Sequence, residues 1–169
     1  MQPRDYDEMR AADGEVRAHF RPLAEWLEQT PARRVAEKRR EADLLFHRVG
    51  ITFAVYGDAQ GAERLIPFDT VPRIIQKAEW DELAKGLAQR VAALNRFLHD
   101  IYHEQKILKE GVVPSEQVLA NASYREAMRG LDLANQVYSN IAGVDLVRHS
   151  DGKYYVLEDN LRTPSGVSY

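Results

Sequence analysis

The chain of 169 residues contains no cysteine, which excludes disulfides, thiolate zinc sites and cysteine nucleophiles. It has no excess of basic charge. Lys and Arg number 23 against 26 Asp and Glu, a formal net charge of -3, which argues against a general nucleic-acid surface. No apolar run reaches the length of a membrane span and no signal-peptide pattern opens the chain, so the expectation is a soluble cytoplasmic protein. Internal repeats and low-complexity linkers are also lacking. What remains is the composition of an ordinary globular chain, 44% hydrophobic and 29% charged, long enough to bury a core without covalent staples.

Periodicity divides the chain. Residues 1 to about 14 are polar, and the pattern from Gly14 to Phe46 is helical, in two pieces broken near Thr30-Pro31. Trp26 and Leu27 are expected to face inward in the first piece, and Val35, Leu44, Leu45 and Phe46 in the second. The run Arg33, Arg34, Lys38, Arg39, Arg40 is interleaved with Glu37 and Glu41. It reads as a solvated helix face, with a phosphate or acidic-partner patch as the alternative. Residues 51–56 and 64–68 read as strands around Gly57-Asp-Ala-Gln-Gly61, a plain turn by preference and a phosphate cradle by alternative.

A long helix is expected from about Glu79 to Leu108, because Trp80, Leu83, Leu87, Val91, Leu94, Leu98 and Ile101 recur at steps of three and four. His99 and His103 would share a face of it. That spacing is compatible with a metal, but the expectation is a pair of surface or helix-end histidines. Gly111 and Pro114 stop the helix, short helical pieces follow at 115–119 and 123–128, and strands at about 143–148 and 153–159 close the chain. Helices mixed with hairpin strands, rather than with regular crossovers, make the class α+β.

The closing hairpin carries the chemistry. Asp151-Gly152 signals a two-residue turn. With those residues central, Ser150 pairs with Lys153 and Asp145 comes to lie opposite Glu158. Asp145, Val147, Val156, Glu158 and Asn160 then share one face, and Val144, Leu146, Tyr155 and Leu157 form an apolar face that can pack on a core. Two carboxylates directly opposed on a sheet repel, and a bound cation turns that repulsion into coordination. Asp, Glu and an Asn carbonyl are the all-oxygen set that magnesium prefers, and magnesium usually also carries substrate phosphates. The following loop, Leu161 to Ser168, offers the Arg162 guanidinium, hydroxyls, and Gly166 for close backbone approach.

The stretch Tyr155-Val-Leu-Glu-Asp-Asn-Leu-Arg-Thr-Pro-Ser-Gly-Val-Ser-Tyr169 resembles the signature of the circularly permuted ATP-grasp proteins, in the bacterial branch described as similar to glutathionylspermidine synthase. Residues 57–69, 72–75, Asn95-Arg-Phe-Leu-His-Asp-Ile-Tyr102 and 141–148 resemble that branch too. The likeness covers about residues 45–169, after a helical lead-in over 1–45. It implies ATP and magnesium held between two α+β lobes, and a ligase that converts a carboxylate to an acylphosphate for attack by an amine. By the resemblance, Glu158, Asn160 and Asp145 are metal ligands, and Arg162, Ser165, Gly166 and Ser168 lie where the loop would contact phosphate or the acyl group.

Two departures stand out. Related synthetases place an arginine two residues before the first metal-ligand Asp, where this chain has Gly143, leaving Arg148 or Arg162 to supply that role. No lysine-bearing nucleotide motif is present, and the chain stops directly after the signature loop. The expectation is therefore an N-terminal portion lacking the C-terminal lobe, with little ATPase activity on its own. A second reading is a non-catalytic ATP-grasp piece that binds a ligand or partner, and a third is an interaction domain without a metal.

Overall fold

The computed structural model describes residues 6–54, 63–65 and 68–164, and for 52–54 and 63–65 the backbone alone. The chain forms two compact units, divided between Gln76 and Lys77.

In the first unit, helix α1 (Arg21–Gln29) starts on Pro22, whose fixed φ suits a first turn. It ends at Thr30, which is extended because Pro31 follows. Helix α2 (Ala32–Val49) ends on Gly50 at φ 76°, with Ile51 N–H donating to the Phe46 carbonyl at 2.9 Å, a Schellman-type cap. The break at Thr30-Pro31 falls where the sequence places it. The basic run is a solvated face, with Arg33 paired to Glu37 at 2.9 Å and Lys38 to Glu41 at 2.6 Å. The inward assignment of three apolar residues fails, since Trp26, Leu44 and Leu45 are exposed. At 100° per residue, Val35, Ala42 and Phe46 make one half-buried stripe of α2. Leu44 lies opposite that stripe and Leu45 to its side. Strands β1 (Thr52–Ala54) and β2 (Glu63–Leu65) pair antiparallel, Thr52 opposite Leu65. The loop 57–61 between them lies outside the described residues.

The second unit is built on α3 (Lys77–Tyr102). Its apolar stripe runs as the spacing predicts, except that Trp80 is exposed. The helix stops six residues short of the expected Leu108. The Asp100 carboxylate accepts the N–H groups of Lys106 and Ile107 at 3.0 Å each, while Gln105 takes a left-handed φ of 57°. A side chain thus caps a new short helix, α4 (Lys106–Lys109), and breaks the old one. Helix α5 (Ser115–Leu119) follows Pro114. The expected helical piece at 123–128 is only a 3-10 turn, Glu126–Met128. Ile101, Tyr102 and Leu108 are buried together, packed by Phe97, Leu98 and Tyr138 among others, with Tyr102 stacked on Tyr124 at 5.0 Å.

Asn95, buried on α3, ties the return of the chain to that helix. Its Oδ1 accepts from Tyr138 N–H (2.7 Å) and Ser139 N–H (2.8 Å), and its Nδ2 donates to the Ser139 (3.1 Å) and Val91 (3.2 Å) carbonyls. From this clamp the chain enters β3 (Gly143–Arg148) and returns as β4 (Tyr154–Asn160), an antiparallel hairpin. Among the described residues, then, helices stand beside two antiparallel two-stranded sheets, the mixture α+β implies. No described helix is long and apolar enough to cross a membrane.

Candidate functional site

The hairpin turn is not the two-residue turn that Asp151-Gly152 suggests. His149 N–H bonds the Lys153 carbonyl at 2.9 Å, and Gly152 adopts φ 81°. Ser150, Asp151 and Gly152 therefore form a three-residue loop with glycine in the left-handed position. This displaces the pairing by one residue, so Leu146 faces Val156 and Arg148 faces Tyr154. A register shift between Asp145 and Leu146 then leaves Leu157 as the extra residue of β4, and beyond it Asp145 lies opposite Glu158 and Gly143 opposite Asn160.

The two expected faces change accordingly. Val144, Leu146, Arg148, Tyr154, Val156 and Asp159 share the half-buried face. Val156 leaves the acidic face to which the two-residue turn assigned it, and Tyr155 leaves the apolar one. Tyr155 and the bulged Leu157 are exposed. Against α3 the half-buried face encloses a cleft of about 540 Å³, lined by Leu83, Gly86, Leu87, Leu146, Tyr154 and Val156 among others. Two ion pairs clamp it. Arg148 meets Glu79 at 2.6 Å, and Arg90 grips both oxygens of Asp159 at 2.6–2.9 Å. The hydrogen bond from Arg90 holds the Asp159 carboxyl below its ordinary pKa. Glu79 and Arg90 lie three helical turns apart, on the same side of α3.

The opposite face carries Asp145, Glu158 and Asn160. Asn160 Nδ2 donates to Glu158 Oε1 at 3.0 Å, and both carboxylates are exposed. Among the described residues no cation pairs with either carboxylate and no donor reaches the Asn160 carbonyl. Asp145, Glu158 and Asn160 each offer oxygen to whatever approaches, which suits a hard cation. The pairing of Asp145 with Glu158 costs stability through repulsion unless a cation joins them.

The segment after β4 folds back over the start of β3. Ser139 Oγ donates to the Leu161 carbonyl at 2.8 Å, and Pro164 packs on Gly143 so closely that a Cβ there would lie 2.7 Å from Pro164 Cβ. A side chain at position 143 would force Pro164 to shift, so glycine suits this position. Arg148 lies on the α3 side, bonded to Glu79, the Gly152 carbonyl and Tyr154. Arg162 is exposed on the anchored segment, without an ion-pair partner among the described residues. Ser165, Gly166 and Ser168 lie outside the described residues.

Sequence reasoning missed a second constellation. His99 and His103 stand at the end of α3, as the spacing predicts, and are half-buried there; one ligand atom from each, with one from Asp132, lies within 4.8 Å of the others. The i, i+4 spacing signalled the histidines. Asp132, 29 residues further on, had no local signal.

The model of the family described as circularly permuted ATP-grasp type 2 matches residues 72–169. An uncharacterized protein of Synechocystis is 44% identical over 164 residues, covering 97% of this chain and 34% of that protein. An uncharacterized protein of Mycobacterium tuberculosis is 41% identical over 167 residues, covering 97% and 29%. A Frankia casuarinae protein named "Putative glutamate--cysteine ligase 2-2" is 42% identical over 168 residues, covering 99% and 19%. The chain spans about a third or less of the length of each.

Proposed function

The chain belongs to the circularly permuted ATP-grasp type 2 family, and from that premise we propose that its C-terminal hairpin supplies magnesium ligands to an ATP-dependent carboxylate–amine ligase. The observation that carries the proposal is the pairing of Asp145 with Glu158 on the exposed face, with Asn160 bonded to Glu158 and no cation beside them among the described residues. The donor set fits the ion: oxygen only, two negative charges, one neutral carbonyl.

In this reaction class a carboxylate oxygen takes the terminal phosphoryl group, ADP leaves, and an amine displaces phosphate from the acyl carbon to give an amide. Bound magnesium supplies charge neutralisation at the phosphates. The chain's own residues do the rest by position and charge. Asp145, Glu158 and Asn160 would hold the ion at the hairpin edge. Arg162, on a segment fixed by Ser139 and Pro164, would place a guanidinium where negative charge develops. Ser165, Gly166 and Ser168 would line the same loop against phosphate or acyl oxygens. Two Frankia relatives carry glutamate–cysteine ligase names, and that reaction also joins a carboxylate to an amine. This chain matches about a fifth of each, so the names support the reaction class and not the substrates.

Calorimetric titration of magnesium and ADP into the chain tests the reading, with the Asp145→Asn, Glu158→Gln double variant beside it. The expected result is magnesium-dependent binding that the double variant loses. A folded chain giving no magnesium-dependent heat, or a double variant binding equally well, would overturn it.

A further inference from the structure

The end of α3 and the loop 129–138 hold a second set of ligands, of different chemistry from the hairpin. The loop is docked before it contributes anything: Gly130 N–H donates to the Tyr102 carbonyl at 2.8 Å, and Tyr138 N–H is bound by Asn95. This brings Asp132 Oδ1 to 3.1 Å from His103 Nε2.

Hydrogen bonding determines which ring nitrogens carry protons. His103 Nδ1 lies 2.8 Å from the His99 carbonyl, which can only accept, so Nδ1 bears a hydrogen and Nε2 is the nitrogen that faces the Asp132 carboxylate. Tyr138 donates its hydroxyl to the Leu131 carbonyl at 3.1 Å. Its oxygen therefore accepts from His99 Nδ1 at 3.1 Å, leaving His99 Nε2 with its lone pair. The rings stack at 4.1 Å. Each Nδ1–H is thus engaged by an oxygen, His99 Nε2 keeps a lone pair, and His103 Nε2 faces the Asp132 carboxylate at a distance that needs a proton or a metal ion between them. Engagement of the second ring nitrogen by a carbonyl or hydroxyl is the outer-shell pattern of metal-bound histidine. A single proton on His103 would relieve the contact with Asp132 but would leave His99 Nε2 with only a 3.5 Å approach from Gln136 Nε2. That approach is made by a backbone held left-handed at both Asn135 and Gln136, a conformation non-glycine residues adopt where the surroundings impose it.

We propose that His99, His103 and Asp132 bind a divalent transition-metal ion of the zinc class. Two imidazoles and one carboxylate select zinc, nickel or copper over magnesium, and three protein ligands leave a position open to water. The ion joins the loop to the end of α3, across 29 residues of sequence, and so couples metal occupancy to the order of the segment that leads into the hairpin.

The test titrates Zn2+ into the tag-free chain carrying Asp145→Asn and Glu158→Gln, which removes the hairpin carboxylates as competing ligands. Binding is followed by calorimetry and by the thermal unfolding midpoint, with Mg2+ as the control ion. One equivalent of Zn2+ should bind and raise the midpoint, and Mg2+ should do neither. His103→Gln should abolish the effect. Asp132→Asn, on an exposed side chain that the fold does not need, should weaken binding at least several-fold. Tyr138→Phe, which removes the acceptor for His99 Nδ1, should cost roughly 10-fold or more in affinity. A folded chain that takes up no Zn2+, or one whose uptake survives both His103→Gln and Asp132→Asn, overturns the site and leaves an ion pair between His103 and Asp132.

Discussion

Asn95→Ala is the substitution whose cost follows most directly from the contacts. Asn95 makes four hydrogen bonds of 2.7–3.2 Å, three of them to Tyr138 and Ser139. Alanine leaves the N–H groups of both residues and the Ser139 carbonyl without their partner, while the Val91 carbonyl keeps its helical bond. Ser139 is 6% exposed, so its two groups are orphaned at about 1–3 kcal/mol each, whereas water reaches the half-buried Tyr138 end. The expected loss is about 2–5 kcal/mol, read as a lower midpoint in urea with an unchanged slope. Hydrogen exchange should show the amides of Tyr138 and Ser139 losing protection while that of Ile101 keeps it. Asn95→Asp separates the contributions: it retains an acceptor for both N–H groups but sets a carboxylate oxygen against the Ser139 carbonyl. A loss under about 1 kcal/mol for Asn95→Ala, with both amides still protected, would refute the reasoning.

Two glycines should respond in opposite directions. Gly86→Ala meets nothing within 4 Å and should stabilise α3 by about 0.5–1 kcal/mol in thermal unfolding. Gly143→Ala places a Cβ 2.7 Å from Pro164 Cβ and should cost about 1–3 kcal/mol, with faster proteolysis after Arg162 as that segment lifts. The ion pair between Arg90 and Asp159 predicts a pH dependence. The folded pKa of Asp159 is depressed from 3.8, so its contribution is present above that value and is lost as pH falls through the lower, folded one. Asp159→Asn should therefore lower stability at pH 7 and flatten its decline below about pH 4, measured by urea midpoints across pH.

Much of the second unit was legible because its signals are local. Pro114 and Gly111 place α5, and the three- and four-residue spacing of apolar side chains places α3. The end of α3 was not legible. The apolar period runs on through Ile101 to Leu108, and what breaks it is the Asp100 carboxylate capping residues six and seven positions ahead. Neither was the face of Leu44, which needs the phase of the whole α2 stripe. Within Asn95-Arg-Phe-Leu-His-Asp-Ile-Tyr102, which the resemblance marks without explaining, the structure gives several members a task. Asn95 clamps the return strand, Asp100 caps α4, His99 faces Asp132 and His103, and Tyr102 accepts from Arg125 N–H at 3.2 Å.

The hairpin shows how a register can be right for the wrong reason. A two-residue turn sets Asp145 opposite Glu158, but the turn has three residues and by itself would shift the pairing by one. The Leu157 bulge takes the shift back before Asp145 is reached. Neither device is visible locally, because both serve a distant demand: Arg148 must meet Glu79, and Tyr154 and Val156 must turn toward α3. The consequence is a division of charge between the two faces. Asp159, between Glu158 and Asn160 in sequence, points to α3 and is neutralised by Arg90. Its neighbours point away and have no cation beside them among the described residues. Packing against α3 stabilises one face of the hairpin and leaves the acidic pair opposed on the other, so the repulsion between Asp145 and Glu158 is carried by contacts made elsewhere. The ion proposed for this face would relieve that repulsion.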